Sequence, residues 1–133
     1  MVVVMDACAM IAYLRGEVGA DVVEALLLDS GNTCLVHAIN LCEIFYDFLK
    51  NSDEATAQSA ITDLVSVGLI VKEDMEPDFW QEAGRYKAGY KLALADCFAM
   101  ALANRTGAEL ITSDHKEFDP IAAAGICRIR FFR

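Results

Sequence analysis

The sequence predicts an α/β fold: a three-layer α/β/α sandwich around a central, mainly parallel sheet. Three observations carry this. Five short apolar runs, rich in β-branched residues, recur along the chain. Stretches with helical spacing lie between them. The first four are largely apolar at consecutive positions, as strands covered on both faces are, whereas Arg128 and Arg130 alternate with apolar residues in the last. Strands alternating with helices wind into a parallel sheet with helices on its faces.

The elements follow in order. Val2 to Met5 is a fully buried strand, and Ala7 to Leu14 a short helix ending near Gly16. Val18 to Ser30 is a second helix, stopped by Gly31 and Asn32. Thr33 to Val36 is the second strand. From Ala38 to Lys50, residues Ala38, Leu41, Cys42, Phe45, Phe48 and Leu49 fall on one helical stripe. Ser52, Asp53 and Glu54 cap a helix that runs to about Val67, and Gly68 ends it. Leu69 to Val71 is the third strand. Pro77 suits the first turn of a helix reaching Lys87, with a break at Gly89. Leu92 to Thr106 is apolar nearly all round, so this helix is buried, and Gly107 ends it. Glu109 to Thr112 is the fourth strand, Phe118 to Ala124 a short helical connection through Pro120, and Cys127 to Phe132 the last strand.

With 133 residues, 56% of them hydrophobic, and no repeat or linker, the chain reads as one domain spanning 1–133. The net charge is −9, which argues against a general nucleic-acid binder. It does not argue against a protein whose acids are spent on cations. Five cysteines form no CxxC pair and sit among apolar residues, so they read as small buried hydrophobes in a reducing compartment. Two histidines are too few for a histidine-based zinc centre. The opening MVVVMDACAMIAYL lacks a basic flank and is broken by Asp6, so it does not read as a signal peptide or a membrane span. The expectation is a soluble, cytoplasmic protein with no membrane partner.

Four carboxylates stand out. Asp6 ends MVVVMD, Glu43 lies in INLCEIF, Asp96 interrupts LALADCFAMALA, and Asp114 closes ELITSD. Burying a lone carboxylate costs several kcal/mol or more unless it is paired, hydrogen-bonded or bound to a metal. In a parallel sheet, Asp6 and Asp114 fall at the carboxyl ends of strands, where open α/β sheets bind ligands. Asp96 falls in the first turns of a helix, where the dipole favours an anion, and Glu43 on the helix after the second strand. An oxygen-only ligand set suits Mg²⁺ or Mn²⁺, ions that serve phosphodiester hydrolysis. No GxSxG, Walker loop or GxGxxG offers a competing enzyme reading.

The strand–Asp opening, the helix with an internal Glu and the segment LALADCFAMALANRTGAELITSD together resemble the PIN-domain family, in particular the VapC-like ribonuclease toxins of toxin–antitoxin pairs. The resemblance covers the whole chain and is most specific from Leu94 to Asp114. It implies that Asp6, Glu43, Asp96 and Asp114 form an acidic catalytic and metal-binding quartet. It further implies Mg²⁺ or Mn²⁺ as cofactor, endoribonucleolytic cleavage leaving a 5′-phosphate and a 3′-hydroxyl, a cognate antitoxin protein and a homodimer. Cys8 stands where Ser, Thr or Asn is common in the family, and His37 where a small hydroxyl residue is frequent.

Other residues are secondary candidates. Asp47 shares the Glu43 face and is a reserve ligand, as is Asp119 before Pro120. Lys116 is the cation best placed to reach a substrate phosphate, and Thr112 and Ser113 are hydroxyl candidates for substrate binding. Arg85, Lys87 and Lys91 cluster ahead of the buried helix. Two other function classes compete. One is a non-catalytic PIN-like module binding RNA or protein. The other is a phosphotransfer domain built on the first-strand Asp, which would want a second acid close after Asp6, where Ala7, Cys8 and Ala9 supply none.

Overall fold

The computed structural model describes residues 1–133. Five strands form one sheet: β1 (Val2–Met5), β2 (Thr33–His37), β3 (Ile70–Lys72), β4 (Glu109–Thr112) and β5 (Ile129–Phe131). Their order is β3-β2-β1-β4-β5, and every neighbouring pair is parallel. The predicted sheet is thus wholly rather than mainly parallel. Seven helices cover it: α1 (Ala7–Arg15), α2 (Ala20–Leu28), α3 (Ala38–Asn51), α4 (Glu54–Ser66), α5 (Pro77–Gly89), α6 (Leu94–Thr106) and α7 (His115–Ala123). None of them is long and apolar enough to cross a membrane.

The period of two along each strand sorts side chains into two cores. Val3, Met5, Cys34, Val36 and Ile111 point to one face, where they meet Met10 of α1, Val23 of α2, Ile44 and Phe48 of α3 and Leu64 of α4. Val4, Leu35 and Leu110 point to the other, against Phe79 of α5, Phe98 and Leu102 of α6 and Phe118 of α7. This double coverage is what the continuous apolar runs anticipate. In α6 every residue from Asp96 to Ala103 is buried, as its all-round apolar pattern requires.

Three local expectations shift. The last helix starts at His115, not Phe118, because Asp114 caps it by accepting the Glu117 N–H at 3.0 Å. The α3 stripe is rotated: the buried line runs through Asn40, Ile44 and Phe48, while Cys42 and Leu49 are exposed. A polar residue, Asn40, is as fully buried on α3 as Ile44, which hydropathy alone does not reveal. The cysteines are all free, but only Cys34, Cys97 and Cys127 are buried.

His37 explains how β2 passes into α3. It is fully buried and stacks on Phe79 with ring centroids 5.1 Å apart. Its Nδ1 accepts the Ile39 N–H at 3.1 Å, and its Nε2 lies 2.8 Å from the Asp74 carbonyl. That pairing fixes a neutral ring with the proton on Nε2. A histidine thus caps the helix where a hydroxyl residue would ordinarily do so.

Candidate metal centre

The sheet reverses its winding direction between β1 and β4. A crevice therefore opens at their carboxyl ends, the usual ligand position in open α/β sheets. The Asp6 N–H donates to the Ile111 carbonyl at 3.1 Å, carrying the ladder one residue beyond β1. Helices in such a sheet start at this edge, so the first turns of α1, α3, α6 and α7 converge on the crevice. Each brings carboxylates: Asp6 caps α1, Glu43 lies in the second turn of α3, Asp96 in the first turn of α6, and Asp114 and Glu117 open α7. The positive ends of helix dipoles favour anions here.

The resulting cavity has a volume of about 310 Å³. Asp6, Glu43, Asp47, Asp96, Asp114 and Glu117 line it, and no basic residue does. The four sequence-predicted acids are brought together. Asp47 reaches the wall but is engaged elsewhere: its Oδ2 is 2.6 Å from Arg15 Nη2, an ion pair whose angles fall outside hydrogen-bond geometry. Asp119 does not reach it, lying instead 2.9 Å from the His115 ring.

Asp6 is the best anchored of the group. Its Oδ1 accepts the Ala7 N–H at 2.6 Å, and its Oδ2 accepts the Thr112 hydroxyl at 2.8 Å. Cys8 Sγ lies 3.5 Å from the same Oδ2 and accepts the Ser113 N–H at 3.4 Å. Thr112 is fully buried and its hydroxyl also accepts the Asp114 N–H at 3.1 Å. Thr112 is therefore no substrate contact, contrary to the sequence expectation; it ties Asp6 to the β4 end from behind. Ser113 contributes a backbone N–H and does not line the cavity. Lys116 lies outside the acidic cavity, in a neighbouring one.

Asn40 plays the same part for Glu43. Its Nδ2 donates to Glu43 Oε1 and to the Ala95 carbonyl, both at 3.1 Å. One buried amide thereby orients a carboxylate on α3 and fastens it to the first turn of α6.

Glu117 is the residue that sequence reasoning missed. Asp96, Asp114 and Glu117 each offer an oxygen within 4.8 Å of the others'. Glu117 Oε2 also accepts the N–H of Ala93, the N-cap residue of α6, at 3.2 Å. The available signal was Asp-x-x-Glu spacing, which reads as a capping box. Here the Glu turns away from its own helix and reaches across to α6.

The electrostatics match an acid cluster with no compensating base. Burial raises the Asp6 carboxyl above the usual carboxylate range, against the opposing pull of Thr112 and Ala7. Burial, then the charges of Asp6, Glu43, Glu117 and Asp114, push Asp96 up to about 8. Burial also raises Glu43; its bond from Asn40 works against the rise, while Asp6 adds to it. Cys8 is pushed up to about 11 by burial and by Asp6, so its thiol stays protonated. Oxygen donors at this spacing with no basic side chain among them fit a hard divalent ion. Asp96, Asp114 and Glu117 would hold it, with Asp6 and Glu43 bordering it.

Known proteins show the same architecture. The family model described as PIN domain matches residues 3–124. No curated protein sequence matches the chain significantly. Among solved structures, DNA-bound VapBC from Salmonella typhimurium is 17% identical, with 100% of this chain and 99% of that one covered, at a TM-score of 0.76. VapBC2 from Rickettsia felis, bound to a DNA fragment from their promoter, is 18% identical, with 98% of each chain covered and a TM-score of 0.75. VapC20 of Mycobacterium tuberculosis, a sarcin–ricin loop cleaving toxin, is 12% identical, with 81% of this chain and 86% of that one covered, at 0.66. These likenesses are of fold. Joined to a family match spanning all but the ends of the chain, they leave one assignment: the chain belongs to the PIN domain family.

Proposed function

We propose that the protein is an Mg²⁺- or Mn²⁺-dependent endoribonuclease, the toxin of a toxin–antitoxin pair that works as a homodimer. The observation that carries the reading is the convergence of carboxylates from four helix starts on one cavity without a base. Helix capping accounts for Asp6, Asp114 and Glu117 singly but not for gathering them with Asp96 and Glu43 around one space, where the unpaired buried charges of Asp6 and Asp96 destabilise the fold. The VapBC assemblies that share the fold are the reason to place an antitoxin beside it.

When bound, a divalent ion would set positive charge against the phosphate and acidify water there. The chain's own groups do the rest. Thr112 and the Ala7 N–H hold Asp6 in one rotamer facing the cavity. Asn40 occupies Glu43 Oε1 and leaves Oε2 to take a proton from water. A carboxyl raised above its usual range is the better base for that step. The apolar walls, Ala7, Ile11 and Ala93, limit the water that competes.

The test is cleavage of single-stranded RNA by purified protein with Mn²⁺, with EDTA, and with Asp96→Asn. Cleavage should require the ion, fail in the variant and leave 5′-phosphate ends. Equal cleavage by Asp96→Asn would refute the reading, and absence of Mn²⁺ binding by the wild type would return the chain to a non-catalytic module.

A further inference from the structure

We infer that a second cavity, adjoining the acidic one, grips the nucleotide next to the scissile phosphate of a single-stranded RNA. Lys91 and Lys116 would meet its phosphates and Tyr90 would stack on its base. The inference rests on the nuclease reading above and specifies where that substrate is held.

The cavity has a volume of about 300 Å³, and its walls include Tyr90, Lys91, Leu92, Lys116, Glu117 and Ile121. Glu117 is common to both cavities, and the consecutive residues Leu92 and Ala93 line one each. A polynucleotide leaving the carboxylates therefore passes over Glu117 straight into this space. The volume lies at the small-ligand end of the range for pockets, room for one nucleotide and not for a duplex.

The state of the lysines sets this cavity apart. The chain has 11 Lys and Arg against 20 Asp and Glu, so a free cation is scarce. Arg15, Lys72, Arg105, Arg130 and Arg133 are all in ion pairs. Lys87 Nζ donates to the Leu92 carbonyl at 2.7 Å, and Arg128 donates to the Gly107 carbonyl. Lys50, Arg85, Lys91 and Lys116 have neither an ion pair nor a hydrogen bond, and two of those four line this one cavity. In a chain of net charge −9, two uncommitted ammonium groups at the edge of an acid cluster supply local attraction for a polyanion that the cluster alone repels. Within a Debye length of about 10 Å such neighbours decide the potential that a phosphate meets.

Lys87 is thereby removed from the predicted basic cluster and given a different task. Its bond to Leu92 braces the short Tyr90–Ala93 connection that carries Tyr90 and Lys91 between α5 and α6. Tyr90 is 41% exposed, which leaves ring surface for a base. Base–aromatic stacking tolerates any base but requires one that is unstacked, hence a single strand.

The experiment measures binding of a fluorescein-labelled single-stranded RNA by anisotropy, in an Asp96→Asn background that does not cleave. Lys91→Ala with Lys116→Ala should weaken binding at least tenfold at low salt. It should also flatten the log affinity–log salt slope by about 1.4, at about 0.7 per phosphate contact. Tyr90→Ala should weaken binding about tenfold, and Tyr90→Phe should restore it. Lys50→Ala, which removes an uncommitted charge elsewhere, should leave affinity unchanged. Affinity and slope unaltered by the double substitution, in a protein whose parent cleaves RNA, overturn the inference and leave the nuclease reading standing. A wild-type chain that neither binds nor cleaves RNA overturns the nuclease reading and the inference with it.

Discussion

Replacing Asp96 by Asn should stabilise the metal-free protein while destroying its response to metal. Asp96 is pushed from 3.8 to about 8 by burial and by four neighbouring carboxylates. At about pH 7 the unfolded chain has surrendered this proton and the folded chain retains it, a linkage cost of about 4 kcal/mol. An amide escapes that cost, though burying it returns part of the gain, so the net should be ~1–3 kcal/mol. For a chain of this length that is a rise of roughly 4–10 °C in the unfolding midpoint. The assay is differential scanning calorimetry in EDTA and in saturating MnCl₂, across pH. In EDTA near neutrality the variant should melt higher, and in acid, where Asp96 is protonated whether the chain is folded or unfolded, the two should converge. With Mn²⁺ the wild type should gain about 2.7 kcal/mol at a hundredfold excess over Kd, and the variant nothing. A variant that melts lower in EDTA at neutral pH, or equal Mn²⁺ shifts for both proteins, would show that the carboxylates are not held in mutual repulsion around a cation site.

Other outcomes follow from the same geometry. Because Asp6, Glu43 and Asp96 are all raised in the folded state, their contribution to stability is full in acid and lost as pH climbs through their folded values; metal-free midpoints should fall from about pH 5 to pH 8, and a flat profile contradicts this. Glu117→Gln should lower Mn²⁺ affinity at least tenfold by isothermal titration, since Glu117 shares the oxygen triad with Asp96 and Asp114; unchanged affinity removes it from the site. Thr112→Val, which deletes the 2.8 Å bond to Asp6, should reduce Mn²⁺ affinity about tenfold without touching solvent-facing surface. His37→Ala should cost about 2–4 kcal/mol in urea denaturation through the lost cap and the vacated stack on Phe79; a loss under about 0.5 kcal/mol would mean the cap is redundant.

How far the sequence reveals this protein depends on the kind of residue. The first four strands were legible because consecutive apolar positions have few explanations other than a doubly covered sheet. Asp6 and Asp96 were legible for the same reason, as charges within those runs. Glu117 was not: it sits in the polar stretch HKEFD and looks like any helix-start acid until the chain folds α7 against α6. Asn40 was hidden by its own polarity, which places it outside a hydrophobic stripe although it is fully buried on α3. Thr112 was noticed for its hydroxyl but given the wrong direction, because one strand's register decides whether a side chain faces solvent or the core. The commitments of the lysines were equally invisible, since Lys87 and Lys91 differ only in what the turn between α5 and α6 brings within reach.

The carboxylates hang from elements of unequal depth. Asp6 leaves β1, the central strand of the sheet, and Asp96 leaves α6, the most buried helix. Asp114 and Glu117 belong to the short helix α7, which lies beside the edge strand β5 and sends only Phe118 and Ile121 into the core. Amide exchange in β1 and α6 should therefore await global unfolding, whereas α7 can exchange through local opening. The site then has a stationary jaw and a yielding one. Ion capture would proceed by α7 settling onto a fixed pair of acids, slowing exchange in α7 far more than in β1.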